Sequence, residues 1–401
     1  MKKIGLLKNT IQEYAWGSYT AISELLGQDS PAASPQAELW MGAHPKAPSL
    51  VKCDGRWISL LELIERNPED ILGKNVAAKF NSRLPYLFKV LAAARPLSIQ
   101  AHPNRAQAKQ GFERENRLQI PLDAGNRSYK DDNHKPECIC ALTPLWALNG
   151  FRKISEIVSL MEKACPQGLE DEIKELRNKP DSRGLKSFFQ ALMTMSRRRQ
   201  KQIIDDAFKN ARKLSQENQI FKWMINLQHE YATDIGVFAP IFLNLICLEP
   251  GEAMFLPAGE LHAYLDGVGI ELMANSDNVL RGGLTPKHID VPELLSVLNF
   301  KERKIHILPQ KVINECEKAY YSQAEEFILS VIEVKNGMSY MSPANRNVEI
   351  VLCTNGKATI TDFEKGSIIP LAGGSSVIVP AVVNFYRIDG EATFYKASVP
   401  V

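Results

Sequence analysis

The sequence predicts a mainly β protein built from two small β-barrels in tandem, with a block of helices inserted in the first. Three observations carry this. Short apolar runs of alternating character, punctuated by Pro and Gly, occur over 9–57, 86–103, 138–142 and much of 240–401, and a period of two between turn residues is the pattern of half-buried strands. Between Gly150 and Pro240 the period changes to three and four. Finally, Gly374-Ser375-Ser376-Val377-Ile378-Val379-Pro380 repeats the Gly-x5-Pro of Gly251 to Pro257, each after a similar strand and turn, as two copies of one β unit would.

Composition narrows the class before any motif does. A chain of 401 residues, 45% of them hydrophobic, can bury a substantial core and divide into two or three domains. A formal charge of +2 favours neither a nucleic acid nor a membrane surface as partner. The first eight residues are basic, but their apolar run ends after Leu7 and no run reaches membrane-spanning length, so a cytoplasmic protein is expected. Seven cysteines, odd in number and without a Cys-x2-Cys spacing, are expected to be reduced thiols.

Taken in order, residues 9–57 suit strands and loops. Trp16 and Trp40 lie beside glycines there and either wall a sugar site or pack into the core, and His44 reads as a loop hydrogen-bonding residue. Two short helices are expected over 58–80, separated by Asn67-Pro68, and a strand over 86–91. Gln100 and His102 stand two apart on an extended run and share a face. Tyr129-Lys130-Asp131-Asp132-Asn133-His134-Lys135-Pro136-Glu137 brings a polar loop to the start of a buried strand, because Pro136 holds Lys135 extended. Residues 151–237 hold four to six amphipathic helices. The basic run at 196–201 is read as their solvated face, and since strands on both sides must share one barrel, the block must return close to where it left. A helix is expected over 291–298, then strands to the end.

The stretch 248–288 is the most informative. It places His262, Glu271 and Arg281 among glycines. If Asp266-Gly267 forms a two-residue hairpin loop, His262 falls opposite Glu271 with Cβ atoms ~5 Å apart, a metal or acid/base pair. The spacing Gly251-x5-Pro257-x-Gly259-x2-His262 resembles the metal-binding motif of cupin barrels, with Asp266 where that motif has Asn. Gln100-x-His102 resembles the His-x-His of the first cupin motif, with Gln in place of one His.

Five stretches together resemble the type I phosphomannose isomerase family: 14–18 (Tyr-Ala-Trp-Gly-Ser), 38–45, Gln100-x-His102-Pro103-Asn104, the run Tyr129 to Glu137, and His262-Ala263-Tyr264 through Pro286-Lys287. One departure is Gly282, where the family usually has Ala. The resemblance implies a two-cupin architecture with a first barrel from 1–150 and 238–308, a helical insertion over 151–237 and a C-terminal barrel over 309–401. By position it makes Gln100, His102, Glu137 and His262 the ligands of one zinc. A set with imidazole, carboxylate and amide but no thiolate suits a catalytic site, and nickel, cobalt or manganese would also fit. On sequence alone His134 competes with Glu137 for the ligand role.

The implied reaction interconverts D-mannose 6-phosphate and D-fructose 6-phosphate through a cis-enediol, feeding GDP-mannose synthesis or glycolysis. Its partner is a small sugar phosphate, and the chain is expected to be a monomer. Arg281 is the implied catalytic residue, aimed either at the enediolate or at the phosphate. Lys135 supplies a second cation for proton transfer or phosphate. Glu271 serves as base or orients a ligand. Trp16, Ser98 and Lys287 are the implied substrate contacts. Another metal-dependent cupin enzyme would use the same barrel without accounting for Arg281 and Lys287 together, and a sugar-phosphate sensor would keep the pocket without turnover. In the C-terminal unit, the offset from Gly251 to Gly374 carries His262 to Phe385, so that barrel is expected to be metal-free with an apolar interior.

Overall fold

The computed structural model describes residues 1–53, 55–164 and 167–400; Cys165 and the terminal Val401 lie outside them. Cys138, Cys140, Cys247, Cys316 and Cys353 are free thiols. Among the described residues no helix is long and apolar enough to cross a membrane.

The protein is mainly β, with two antiparallel sheets of ten and eleven strands. The ten-stranded sheet is built around one long strand, His262–Ala274. Its first half pairs with Leu145–Phe151 on one side and meets Ile99–Ala101 through His262 and Gln100 on the other. Its second half pairs with Tyr86–Ala93 and Glu137–Ala141. The change of partners falls at Asp266 and Gly267, where the register shifts and Gly267 takes φ +115. A Cβ at Gly267 would lie 2.4 Å from the Pro144 carbonyl oxygen, so the close approach and the positive φ both require glycine.

This corrects the expected hairpin at Asp266-Gly267. Asp-Gly is a strong local turn signal, but the apolar residues on both sides are buried against other strands. The chain bends there and does not reverse. Glu271 therefore faces Lys89 across the ladder and is not opposite His262.

The helical block leaves and re-enters this sheet at neighbouring positions, since Phe151 pairs with Leu243. It contains Ile154–Ala164, Glu170–Asn178, Ser182–Thr194, Arg197–Leu214 and Gln219–Glu230. Asp181, Ser196 and Asn218 cap three of these, each accepting backbone N–H bonds of the first turn, which satisfies donors the helix cannot. Arg197 and Arg198 lie on the exposed face while Ile203, Ile204, Ala207 and Phe208 are buried. Residues 60–79 form three helices in place of the expected two, Leu60–Arg66, Pro68–Leu72 and Lys74–Lys79. Gly73 at φ +93 separates the last two. The helix Val291–Val297 falls where one was expected.

The eleven-stranded sheet is centred on Glu349–Asp362 and Tyr386–Ser398 and recruits the N-terminal strands Gly5–Lys8, Leu50–Cys53 and Arg56–Ser59 through pairing of Gly5–Lys8 with Ser376–Val379. The first turns of the repeat correspond: Gly251 and Gly374 have φ +87 and +83. Phe385, however, is 43% exposed while Tyr386 is fully buried. The inward position belongs to Tyr386, one residue on, and in an extended chain a slip of one exchanges the faces.

Nor is the interior beside Tyr386 apolar. Lys396 Nζ lies 2.8 Å from Glu317 and 3.3 Å from Glu349, and the Tyr386 hydroxyl donates to Glu349 at 2.9 Å. Tyr340 donates to Glu317 at 2.9 Å. All five side chains are buried. A buried ammonium persists only where carboxylates compensate its lost hydration.

Candidate active site

Three segments distant in sequence meet beside the long strand. His102 follows Ile99–Ala101, Glu137 opens Glu137–Ala141, and His262 opens His262–Ala274. The Nε2 atoms of His102 and His262 each stand 3.2 Å from an oxygen of Glu137, and all three residues are buried. The local chain explains the convergence: Gly259, at φ +79 after Pro257, donates its N–H to the His102 carbonyl at 2.8 Å. The turn before His262 is thus tied to the strand end that carries His102.

Each imidazole has a carbonyl at its Nδ1. His102 Nδ1 faces the Asn278 carbonyl at 2.8 Å and His262 Nδ1 faces the Glu260 carbonyl at 3.0 Å. A carbonyl only accepts, so in each neutral ring a hydrogen on Nδ1 serves it and leaves Nε2 a lone pair. The buried Nε2 of His102 has no hydrogen-bond partner, and burial pushes its pKa down to about 4. Two aimed lone pairs astride one buried carboxylate fit a divalent cation, and the donor atoms lie within 4.8 Å of one another. Gln100 stands in register opposite His262 and Arg281. Its amide nitrogen donates to Ser98 Oγ at 3.2 Å, which leaves its oxygen free of that bond in the cleft that Gln100 lines. His134, the rival of Glu137 in the sequence, is drawn away by Glu326, whose Oε1 lies 2.7 Å from its Nε2.

The same cleft is lined by Glu38, Lys89, Ser98, Lys135 and Glu271. Lys89 Nζ is 2.8 Å from Glu271 and 3.7 Å from Glu38, and Trp40 Nε1 donates to Glu38 at 2.6 Å. Trp40 is therefore a buried support and no sugar wall. Burial works against the Lys89 charge, but Glu271 and Glu38 outweigh it and hold its pKa above the usual lysine range. Burial raises the Glu271 carboxyl, with Lys89 opposing. Burial also acts to raise Glu137, yet His102 and Lys135 hold it well below the ordinary range; Lys135 Nζ is 3.3 Å away.

Arg281 pairs in register with Gln100, and Lys287 lies near enough to Arg281 for their charges to interact. Neither has a carboxylate within ion-pairing distance among the described residues. Burial lowers the pKa of both, and for Lys287 the charges of Arg281 and Lys130 add to it. Arg281 lines a small neighbouring recess with Arg127, Ser128 and His288. Trp16 stacks on Tyr14 with centroids 5.8 Å apart and packs against the cluster containing Leu91, Leu97 and Tyr264. His44 accepts the Lys46 N–H at 3.3 Å, as a loop residue would. Lys89 is a functional residue that the sequence itself marks, as a lone charge within Leu87-Phe88-Lys89-Val90-Leu91.

A mainly β fold that brings two histidines and a carboxylate, with no thiolate, to one buried cluster has the donor set of a catalytic metalloenzyme. The profile "Phosphomannose isomerase type I, catalytic domain" matches residues 4–154. The chain is 42% identical to mannose-6-phosphate isomerase of Escherichia coli K12 over 96% of its own length and 97% of the relative's. It is 34% identical to the Bos taurus enzyme of that name, over 98% and 95%. A solved variant of phosphomannose isomerase from Salmonella typhimurium superposes with TM-score 0.92 at 37% identity, covering 100% of both chains. A zinc-bound mannose 6-phosphate isomerase gives 0.91 at 38%, also over 100% of both. The chain belongs to the type I phosphomannose isomerase family.

Proposed function

We propose that this protein interconverts D-mannose 6-phosphate and D-fructose 6-phosphate, with one zinc held by His102, Glu137, His262 and Gln100. The observation that carries this is the shared cleft: the His-Glu-His cluster and the buried Lys89–Glu271 pair face the same space. When bound there, zinc acts as a Lewis acid on the sugar's C1–C2 oxygens.

The rest is the work of the chain. Glu271 is a carboxylate outside the metal cluster with its proton affinity raised by burial, which suits a base moving a proton between C2 and C1 through a cis-enediol. Lys89 orients it. Arg281, beside Gln100 in register, meets the developing negative charge on the enediolate oxygens. Lys287 takes the phosphate, and Lys135 keeps Glu137 ionised. Ser98 fixes the Gln100 amide and Trp16 backs the cleft wall. The reading further takes the strands around each long strand as cupin-type units, with boundaries at 1–150 with 238–308, 151–237 and 309–401, in a cytoplasmic monomer.

Coupled detection of fructose 6-phosphate formed from mannose 6-phosphate tests the assignment. Turnover abolished by chelator is expected; no product from fully loaded protein would end it.

A further inference from the structure

The two histidines of the cluster receive their orienting carbonyls in different ways. His262 uses Glu260, two residues before it on its own chain segment. His102 uses Asn278, 176 residues away. The position of that carbonyl is therefore a tertiary matter, and the molecule fixes it with an interlock between two loops.

Asn278 is fully buried. Its Nδ2 donates to the carbonyls of Asp131 and Asn133, both at 2.8 Å, and its Oδ1 accepts from the N–H groups of Lys130 at 2.7 Å and Asp131 at 3.2 Å. In return the Asp131 carboxylate accepts from Ser276 Oγ at 2.8 Å and from the Asp277 N–H at 2.8 Å. Each loop's side chain satisfies the other loop's backbone, so neither moves without leaving buried groups unpaired.

We propose that Asp131 and Asn278 are positioning residues for the metal, acting through His102. Their interlock places the Asn278 carbonyl where it holds the hydrogen on Nδ1 of His102 and aims Nε2 at the cluster. This gives a chemical reason for the Asp in the Tyr129-to-Glu137 run, whose side chain touches no ligand. It rests on the metal assignment made above and is independent of which sugar phosphate is the substrate.

The test compares Asp131→Asn and Asn278→Ala with wild type in two measurements that need no turnover, each on protein shown folded by circular dichroism. Asp131→Asn presents an NH2 to the donors that faced a carboxylate; Asn278→Ala keeps the carbonyl but releases it. Zinc affinity, measured by competition with a chromogenic chelator, is expected to fall about ten- to hundredfold, the usual effect of losing an outer partner of a ligand. In nitrogen-15 spectra of the zinc-loaded protein the Nδ1–H resonance of His102 is expected to move while that of His262 stays. Ser276→Ala, which removes one donor to Asp131, should do the same more weakly and serves if Asp131→Asn does not fold. Tyr340→Phe, which breaks a buried hydrogen bond in the other sheet, controls for lost stability and should leave both readouts unchanged. Wild-type affinity and an unmoved His102 signal in the folded variants would overturn the proposal, as would an equal loss in Tyr340→Phe. Failure of wild type to bind zinc would instead overturn the metal assignment itself.

Discussion

Lys89 and Glu271 face each other across adjacent strands, Nζ to Oε2 at 2.8 Å, with both side chains buried in the cleft that holds the metal cluster. The pair predicts two separable effects. Glu271→Gln should lower kcat by about 10²–10⁴, the usual contribution of a general base, while zinc content stays at one per chain. Lys89→Met removes the opposing cation, so the Glu271 pKa rises further and the acid limb of kcat/KM moves to higher pH. An unmoved limb would show that Glu271 is not the group titrating.

Arg281 and Lys287 are both cations with no carboxylate in ion-pairing distance among the described residues, but only Arg281 is in register beside Gln100. Arg281→Ala should therefore lose about 10²–10³ in kcat and retain its zinc and its melting temperature. Lys287→Ala should chiefly raise KM, as loss of uniform binding does. Steady-state kinetics decide between the assignments, and a pure KM effect in Arg281→Ala would move that residue to the phosphate.

The buried network around Lys396 makes a prediction about stability alone. Lys396→Met leaves Glu317 without its cation and Glu349 with only Arg346, 3.7 Å away, and should destabilise the fold by about 3–5 kcal/mol, with metal content unchanged. Phe385→Ala, at an exposed position, should lie within about 0.5 kcal/mol of wild type. Chemical denaturation of the two variants side by side measures both.

Metal-free protein should lose stability as the pH falls below about 6.5. The fold holds His102 neutral down to about 4, whereas the unfolded chain takes up that proton near 6.5. Between those values the unfolded state binds more protons, so stability declines with falling pH by something on the order of 3 kcal/mol. The depressed Glu137 continues the decline at lower pH in the same direction. Denaturation midpoints of chelated protein between pH 7 and 4 check this; a flat profile in His102→Gln would identify the group.

What could be read in the sequence divides by the range of the interactions involved. The strands at Tyr86 and Glu137 and the start of the long strand at His262 follow from local alternation and turn residues, and the helical block follows from its period. At Asp266-Gly267 local turn chemistry is outweighed by pairing with strands over a hundred residues away. Phe385 fell one residue out, and alternation makes such an error a change of face. The helix Arg105–Arg117 is legible as well: Asn104 and Gln107 form its capping box, a signature three residues apart. The departure of His134 toward Glu326, and the carbonyl that Asn278 lends to His102, depend on contacts spanning 192 and 176 residues, for which the linear sequence carries no signal.

The central claim is that turnover depends on one metal held by His102, Glu137 and His262. It is tested most directly by adding zinc in increments to metal-free protein while following fructose 6-phosphate formation. Activity should start near zero, rise in proportion to zinc and saturate at one per chain, with His262→Ala neither binding nor turning over. Full activity in protein shown metal-free by elemental analysis, or saturation at two zincs per chain, would contradict it.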